Sequence, residues 1–211
     1  GMAVLGLMEI LSNLNINRSV IGILGIAENM PGGNATKPGD IITSFNGKTI
    51  EVLNTDAEGR LILADALGIA SNYNPECIID IATLTGAVIS TLGNSAAGIL
   101  GNNKNLINML QKSGEETSER LWELPIYKDF MDDMKSDFAD LSNMSKSGNA
   151  GTATAAAFLS NFVPNNIPWA HIDIAGMAWQ TKNSETQDSG ATLFGVRLLL
   201  NWLFKNNVIN N

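Results

Sequence analysis

Three short, almost continuous apolar runs constrain this chain most: residues 19–27 (SVIGILGIA), 77–84 (CIIDIATL) and 169–176 (WAHIDIAG). All carry β-branched side chains and are too short for a helix of ordinary length. Each therefore reads as a strand covered on both faces, as parallel strands are inside a layered sheet. The stretches around them carry helical spacing instead. Val4, Leu7, Met8 and Leu11 recur at i, i+3, i+4 and i+7 and predict a helix over 3–14, ended by Asn13 and Asn15. Leu63, Ala66, Leu67 and Ala70 predict a second helix, ending near 72–75, and Val196, Leu199, Leu200 and Leu203 a last one packed on the sheet. Strands alternating with helices imply an α/β chain, three-layer α/β/α with a mostly parallel or mixed central sheet. One domain over 1–205 is expected, followed by an Asn-rich tail at 206–211.

Between the first strand and the second helix, 41–45 and 48–52 are β-prone and joined by Asn46-Gly47. That dipeptide predicts a hairpin with a type I′ turn. The same hairpin occurs in peptide-binding PDZ modules, but neither a carboxylate-binding loop before it nor a groove helix after it follows here.

The 211 residues are 45% hydrophobic, enough for a sizeable core. With 13 basic against 21 acidic side chains and a formal net charge of −8, a nucleic-acid partner is not expected, because phosphate binding needs clustered Lys and Arg. No run reaches the roughly 18 apolar residues of a membrane span. The single cysteine, Cys77, cannot form an internal disulfide, and a reducing cytoplasm is the expected compartment. His171, the only histidine, and Asp80 sit within apolar strands and read as hydrogen-bonded core groups. Met131 and Met134 read as packing residues. The Gly-rich loop at 145–151 lacks P-loop spacing.

Charge concentrates at one place. Asn54-Thr55-Asp56-Ala57-Glu58-Gly59-Arg60 runs directly into the second helix. On chemistry alone, Asp56 and Glu58 are acids complementing a helix N-terminus, with Asn54 or Thr55 as cap and Arg60 as their partner. The longer string NTDAEGRLILADAL, however, resembles the signature of the leucyl aminopeptidase (cytosol aminopeptidase) family of two-metal exopeptidases. IIDIATLTGA, KSDFADLSN, AGTATAAAFL, WAHIDIAG and GATLFGVRLLL resemble further blocks of its catalytic domain, in the family's order.

The resemblance implies removal of single residues from the free N-terminus of peptides, with two divalent ions (Mn²⁺, Zn²⁺ or Mg²⁺) and bicarbonate. Asp56 would be a ligand of one metal, Glu58 would bridge both, and Arg60 would hold the bicarbonate as general base. Thr83, Leu84 and Gly86 would present backbone groups to the substrate, and Ala175, Gly176, Met177 and Ala178 would line the pocket for its first side chain. Hexamers in the family imply a homo-oligomer. The family's remaining ligands, a lysine and two aspartates, and its carbonyl-polarising lysine come from segments upstream of the first helix. The chain is therefore expected to be a catalytic domain lacking its upstream metal-binding segment, weakly active or inactive alone. A non-catalytic scaffold of the same fold is the alternative.

Overall fold

A computed structural model of the chain describes residues 1–14, 16–183 and 188–207. Along the chain come α1 (Met2–Ser12), β1 (Ile41–Thr43), β2 (Thr49–Glu51), α2 (Gly59–Ser71), β3 (Ile78–Ala82) and α3 (Gly86–Leu92). These are followed by β4 (Ala97–Gly101), α4 (Lys104–Thr117), β5 (Leu121–Glu123), α5 (Lys128–Asp132) and β6 (Leu141–Ser142). The last elements are α6 (Gly151–Ser160), β7 (Trp169–Asp173), β8 (Trp179–Gln180), β9 (Gly190–Ala191) and α7 (Val196–Asn207). Asn15 and residues 208–211 of the expected tail lie outside the described residues.

The central sheet has the order β3-β7-β4-β5 and is mixed: β3 and β7 are parallel, β7 and β4 antiparallel, β4 and β5 parallel. Alternation of side chains along its strands splits the core into two layers. On one face Ile81, Ile99 and Ile172 pack with Leu7 of α1, Leu110 of α4 and Leu198 of α7. On the other, Ile78, Leu100 and Trp169 pack with Leu67 of α2 and Phe158 of α6. Helices thus cover both faces, the expected three-layer α/β/α arrangement. Every residue of β7 is buried, which explains why its sequence lacks polar alternation. A smaller sheet has the order β1-β2-β6, and its Ile50 and Leu141 join the second of these core layers.

Two expectations are corrected. The run 19–27 is not a strand: it lies outside every regular element, with Ile21, Leu24 and Ile26 exposed. The segment has the composition of a strand, but composition does not supply a hydrogen-bonding neighbour, and the free edge of β3 faces it across a groove lined by both. The hairpin forms, but its turn is not type I′. Gly47 has φ +85°, whereas Asn46 is not among the residues with positive φ. Gly47 N–H donates to the Ser44 carbonyl at 2.9 Å, and Ser44 N–H donates to the Lys48 carbonyl at 2.8 Å. This is the longer loop in which a single left-handed residue closes the turn. Gly47→Ala is expected to destabilise the protein by about 1 kcal/mol, because a Cβ is disfavoured at positive φ. A urea titration of the variant checks this.

Beneath the second core layer lies a buried polar triad. Trp169 Nε1 donates to Asp80 Oδ2 at 2.7 Å, and His171 Nδ1 pairs with Asp80 Oδ1 at 2.5 Å. The parallel register sets Asp80 opposite His171. Both polar residues are therefore structural, as expected. Burial alone depresses the imidazole pKa, but the charge and hydrogen bond of Asp80, helped by Asp173, hold it above the ordinary 6.5. The folded state binds this proton more tightly than the unfolded chain does. Its stabilisation is therefore complete below about pH 6.5 and is lost as pH rises through the elevated folded value. Urea midpoints should accordingly fall over the range above pH 6.5, and Asp80→Asn should flatten that fall.

Candidate active site at the sheet's carboxyl edge

The acidic heptad folds as its local chemistry dictates. Asn54 is extended, and its side-chain oxygen accepts the Asp56 N–H at 2.9 Å, capping a 3-10 turn over Thr55–Ala57. Glu58 then turns into α2. The two acids sit at a helix N-terminus, where the backbone's partial positive charge favours them. Asp56 is exposed, Glu58 half-buried and Arg60 buried.

A distant residue clamps this loop. The Asn143 side chain, fully buried, accepts the Leu53 N–H at 2.8 Å and donates to the Asn54 carbonyl at 2.7 Å and the Ala57 carbonyl at 3.3 Å. Its own carbonyl accepts Arg60 Nη1 at 2.8 Å.

The parallel strands β3 and β7 end side by side, and ligands of open α/β sheets bind beyond such carboxyl ends. Asp173, the last residue of β7, organises the segments that follow both strands. Its Oδ1 accepts the N–H groups of Leu84 at 3.0 Å and Ala175 at 3.2 Å, and its Oδ2 accepts the Thr85 hydroxyl at 2.6 Å. Thr85 Oγ1 in turn caps α3 through Val88 N–H at 3.2 Å and meets Thr152 Oγ1 of α6 at 3.0 Å.

Of the sequence-nominated residues here, Thr83 and Gly86 are exposed and Leu84 half-buried. Ala175, Met177 and Ala178 are half-buried, while Gly176 is buried. A Cβ on Gly176 would strike the Gly93 carbonyl. The acidic loop adjoins this edge: Leu84 Cδ1 lies 3.4 Å from where a Cβ on Gly59 would stand. The structure therefore gathers the heptad, the 83–86 segment and, through Asp173, the 175–178 segment at one edge of the sheet.

Arg60 ties these parts together electrostatically. Burial pulls its guanidinium down to about 10, and the negative charges of Asp173 and Glu58 oppose that loss. It stays protonated at neutral pH. Its Nε is buried without a hydrogen-bond partner, a donor suited to an anion.

The donor set falls short of a dinuclear site. Asp56 and Glu58 are hard oxygen donors of the type Mn²⁺, Mg²⁺ or Zn²⁺ accept. Among the described residues, however, no group of three or more His, Cys, Asp or Glu side chains is placed to hold a metal ion. The Asp173 carboxylate is occupied by backbone and threonine donors. A single catalytic zinc takes about three protein ligands, so two carboxylates do not fit a pair of ions unaided.

Asn143, Asp173, Thr85 and Thr152 escaped sequence reasoning as parts of the site. The detectable signal was modest: Asp173 is an acid inside an apolar strand, and such a group must be paired.

The model of the cytosol aminopeptidase family, catalytic domain, matches residues 1–200. The chain is 49% identical over 201 residues to a probable cytosol aminopeptidase of Geobacter sulfurreducens, covering 95% of this chain and 40% of that protein. It is 51% identical over 197 residues to one of Phytoplasma australiense, covering 93% and 40%. For one of Rickettsia bellii the values are 45% over 206 residues, 97% and 41%. The chain thus spans about two fifths of the length of the curated relatives it matches. The match of domain and relatives, together with the sheet edge just described, makes this chain a member of the cytosol aminopeptidase family.

Proposed function

We propose that the chain forms the Asp56–Glu58–Arg60 side of a two-metal aminopeptidase site that releases N-terminal residues from peptides, and that it needs further polypeptide to become active. The observation that carries this is the convergence of residues 54–60, 83–86 and 175–178 at the carboxyl ends of two parallel strands, joined by Asp173 and Arg60.

In this reading Asp56 and Glu58 donate carboxylate oxygens, and Arg60 holds bicarbonate with its unpartnered Nε. The backbone at Thr83, Leu84 and Gly86 aligns the peptide. Ala175, Gly176, Met177 and Ala178 bound the pocket for its first side chain. The divalent ions (Mn²⁺, Zn²⁺ or Mg²⁺) supply Lewis acidity when bound. A cytoplasmic location and a homo-oligomer belong to the same reading. Among the described residues no helix is long and apolar enough to cross a membrane.

That no third donor joins Asp56 and Glu58 among the described residues also favours a second reading, a non-catalytic protein that keeps the fold. Leucine-anilide hydrolysis with added Mn²⁺ or Zn²⁺ separates the two. The chain alone should not exceed the metal-only blank. Co-expression with the part of the Geobacter sulfurreducens relative outside the matched span should bring a measurable rate, and Glu58→Gln should abolish it. Full activity from the chain alone would overturn the need for a complement. Silence in both arms would favour the non-catalytic protein.

A further inference from the structure

The hydrogen bonds behind Asp173 have a direction. Its carboxylate, surrounded by donors, only accepts, and Oδ2 takes the Thr85 hydroxyl proton at 2.6 Å. A hydroxyl has one proton to give. Thr85 Oγ1 must therefore accept from its two other partners, Val88 N–H at 3.2 Å and Thr152 Oγ1 at 3.0 Å. Thr152 is thereby fixed as the donor, and the chain runs one way, from α6 through Thr85 to Asp173.

Thr152 departs from the usual habit of a helical threonine. Thr154, one turn position on, donates back to the carbonyls of Ala150 and Gly151, each at 3.2 Å. For Thr152 the fourth residue back, Gly148, precedes α6, and the hydroxyl reaches the cap of α3 instead. Its methyl group faces β4, with Cγ2 3.8 Å from where a Cβ on Gly98 would stand. Thr85, Thr152 and Asp173 are all buried, so little water competes for these bonds.

Asp173 holds the Leu84 N–H after β3 and the Ala175 N–H after β7. We propose that Thr152 is a positioning residue: through Thr85 and Asp173 it sets how the 83–86 and 175–178 segments, the two walls of the peptide site, stand relative to each other. Thr152 lies on neither wall and acts from a helix that follows β6 and precedes β7. This rests on the reading that the two segments hold the peptide, and one arm of its test involves no catalysis.

In the intact chain, amide exchange at Leu84 and Ala175 should accelerate about fivefold in Thr152→Val, which keeps the branched shape but has no hydroxyl to donate. Thr152→Ser should restore the original rates. Thr154→Val, which loses a hydroxyl bonded within the same helix, should leave both amides unchanged. Thr152→Ala removes the hydroxyl without the branched shape and replaces the valine variant if that one does not fold. In the enzyme formed by co-expression, Thr152→Val should raise KM for leucine-anilide about fivefold and leave kcat in place, because walls that hold the peptide act on ground state and transition state alike.

Unchanged exchange at Leu84 and Ala175, equal acceleration in Thr154→Val, no rescue by serine, or a fall in kcat at constant KM would overturn the proposal. Absence of hydrolysis by the co-expressed enzyme that retains Thr152 would remove the peptidase reading instead, and the exchange rates alone then decide whether Thr152 sets the two segments.

Discussion

Replacing Asp173 with alanine is expected to remove about 3 kcal/mol or more of folding stability, the largest effect of any single change at the sheet edge. The carboxylate is fully buried and accepts from Leu84 N–H, Ala175 N–H and the Thr85 hydroxyl. Hydrogen bonds to a charged group contribute about 1.5–3 kcal/mol each, and truncation leaves several donors unmet at once. It also removes one of the two negative charges that oppose loss of the Arg60 proton. Asp173→Asn keeps an acceptor without the charge and should recover part of the loss. Urea unfolding of the two variants gives the comparison, and a loss under about 1 kcal/mol for alanine would show that water replaces the carboxylate.

Asn143→Ala should cost about 2–3 kcal/mol, the penalty for leaving buried main-chain groups unpaired. Its side chain meets the backbone of Leu53, Asn54 and Ala57, so the effect should be concentrated in the acidic loop. Amide exchange at Leu53 and its neighbours should accelerate before global unfolding does. If exchange there is unchanged while overall stability falls, Asn143 supports β6 and its surroundings rather than the placement of Asp56 and Glu58.

The fold was legible where burial alone writes the pattern. The runs 77–84 and 169–176 became β3 and β7 because strands covered on both faces must be apolar throughout. The run 19–27 obeyed the same rule and did not pair, because a sequence states how much burial a segment needs but not what lies beside it. Local chemistry also located the start of α2, since Asn54 acts within two residues of itself. What holds the site together was not legible. Asn143 reaches Arg60 across 83 positions and Asp173 reaches Leu84 across 89, distances over which residue type carries no directional signal. The turn type at Gly47 was misread for a smaller reason: Asn-Gly favours positive φ at two residues, but Ser44 and Lys48 close the loop one residue wider.

The contact of Gly176 with the Gly93 carbonyl limits how this edge of the molecule can diverge. Any side chain at 176 must push α3 away from the end of β7, so no change of shape can be made there without moving the neighbouring helix. Ala175, Met177 and Ala178 keep partial exposure and carry no such restriction. Over evolutionary time, new preferences should be written at those three positions around an unchanging glycine.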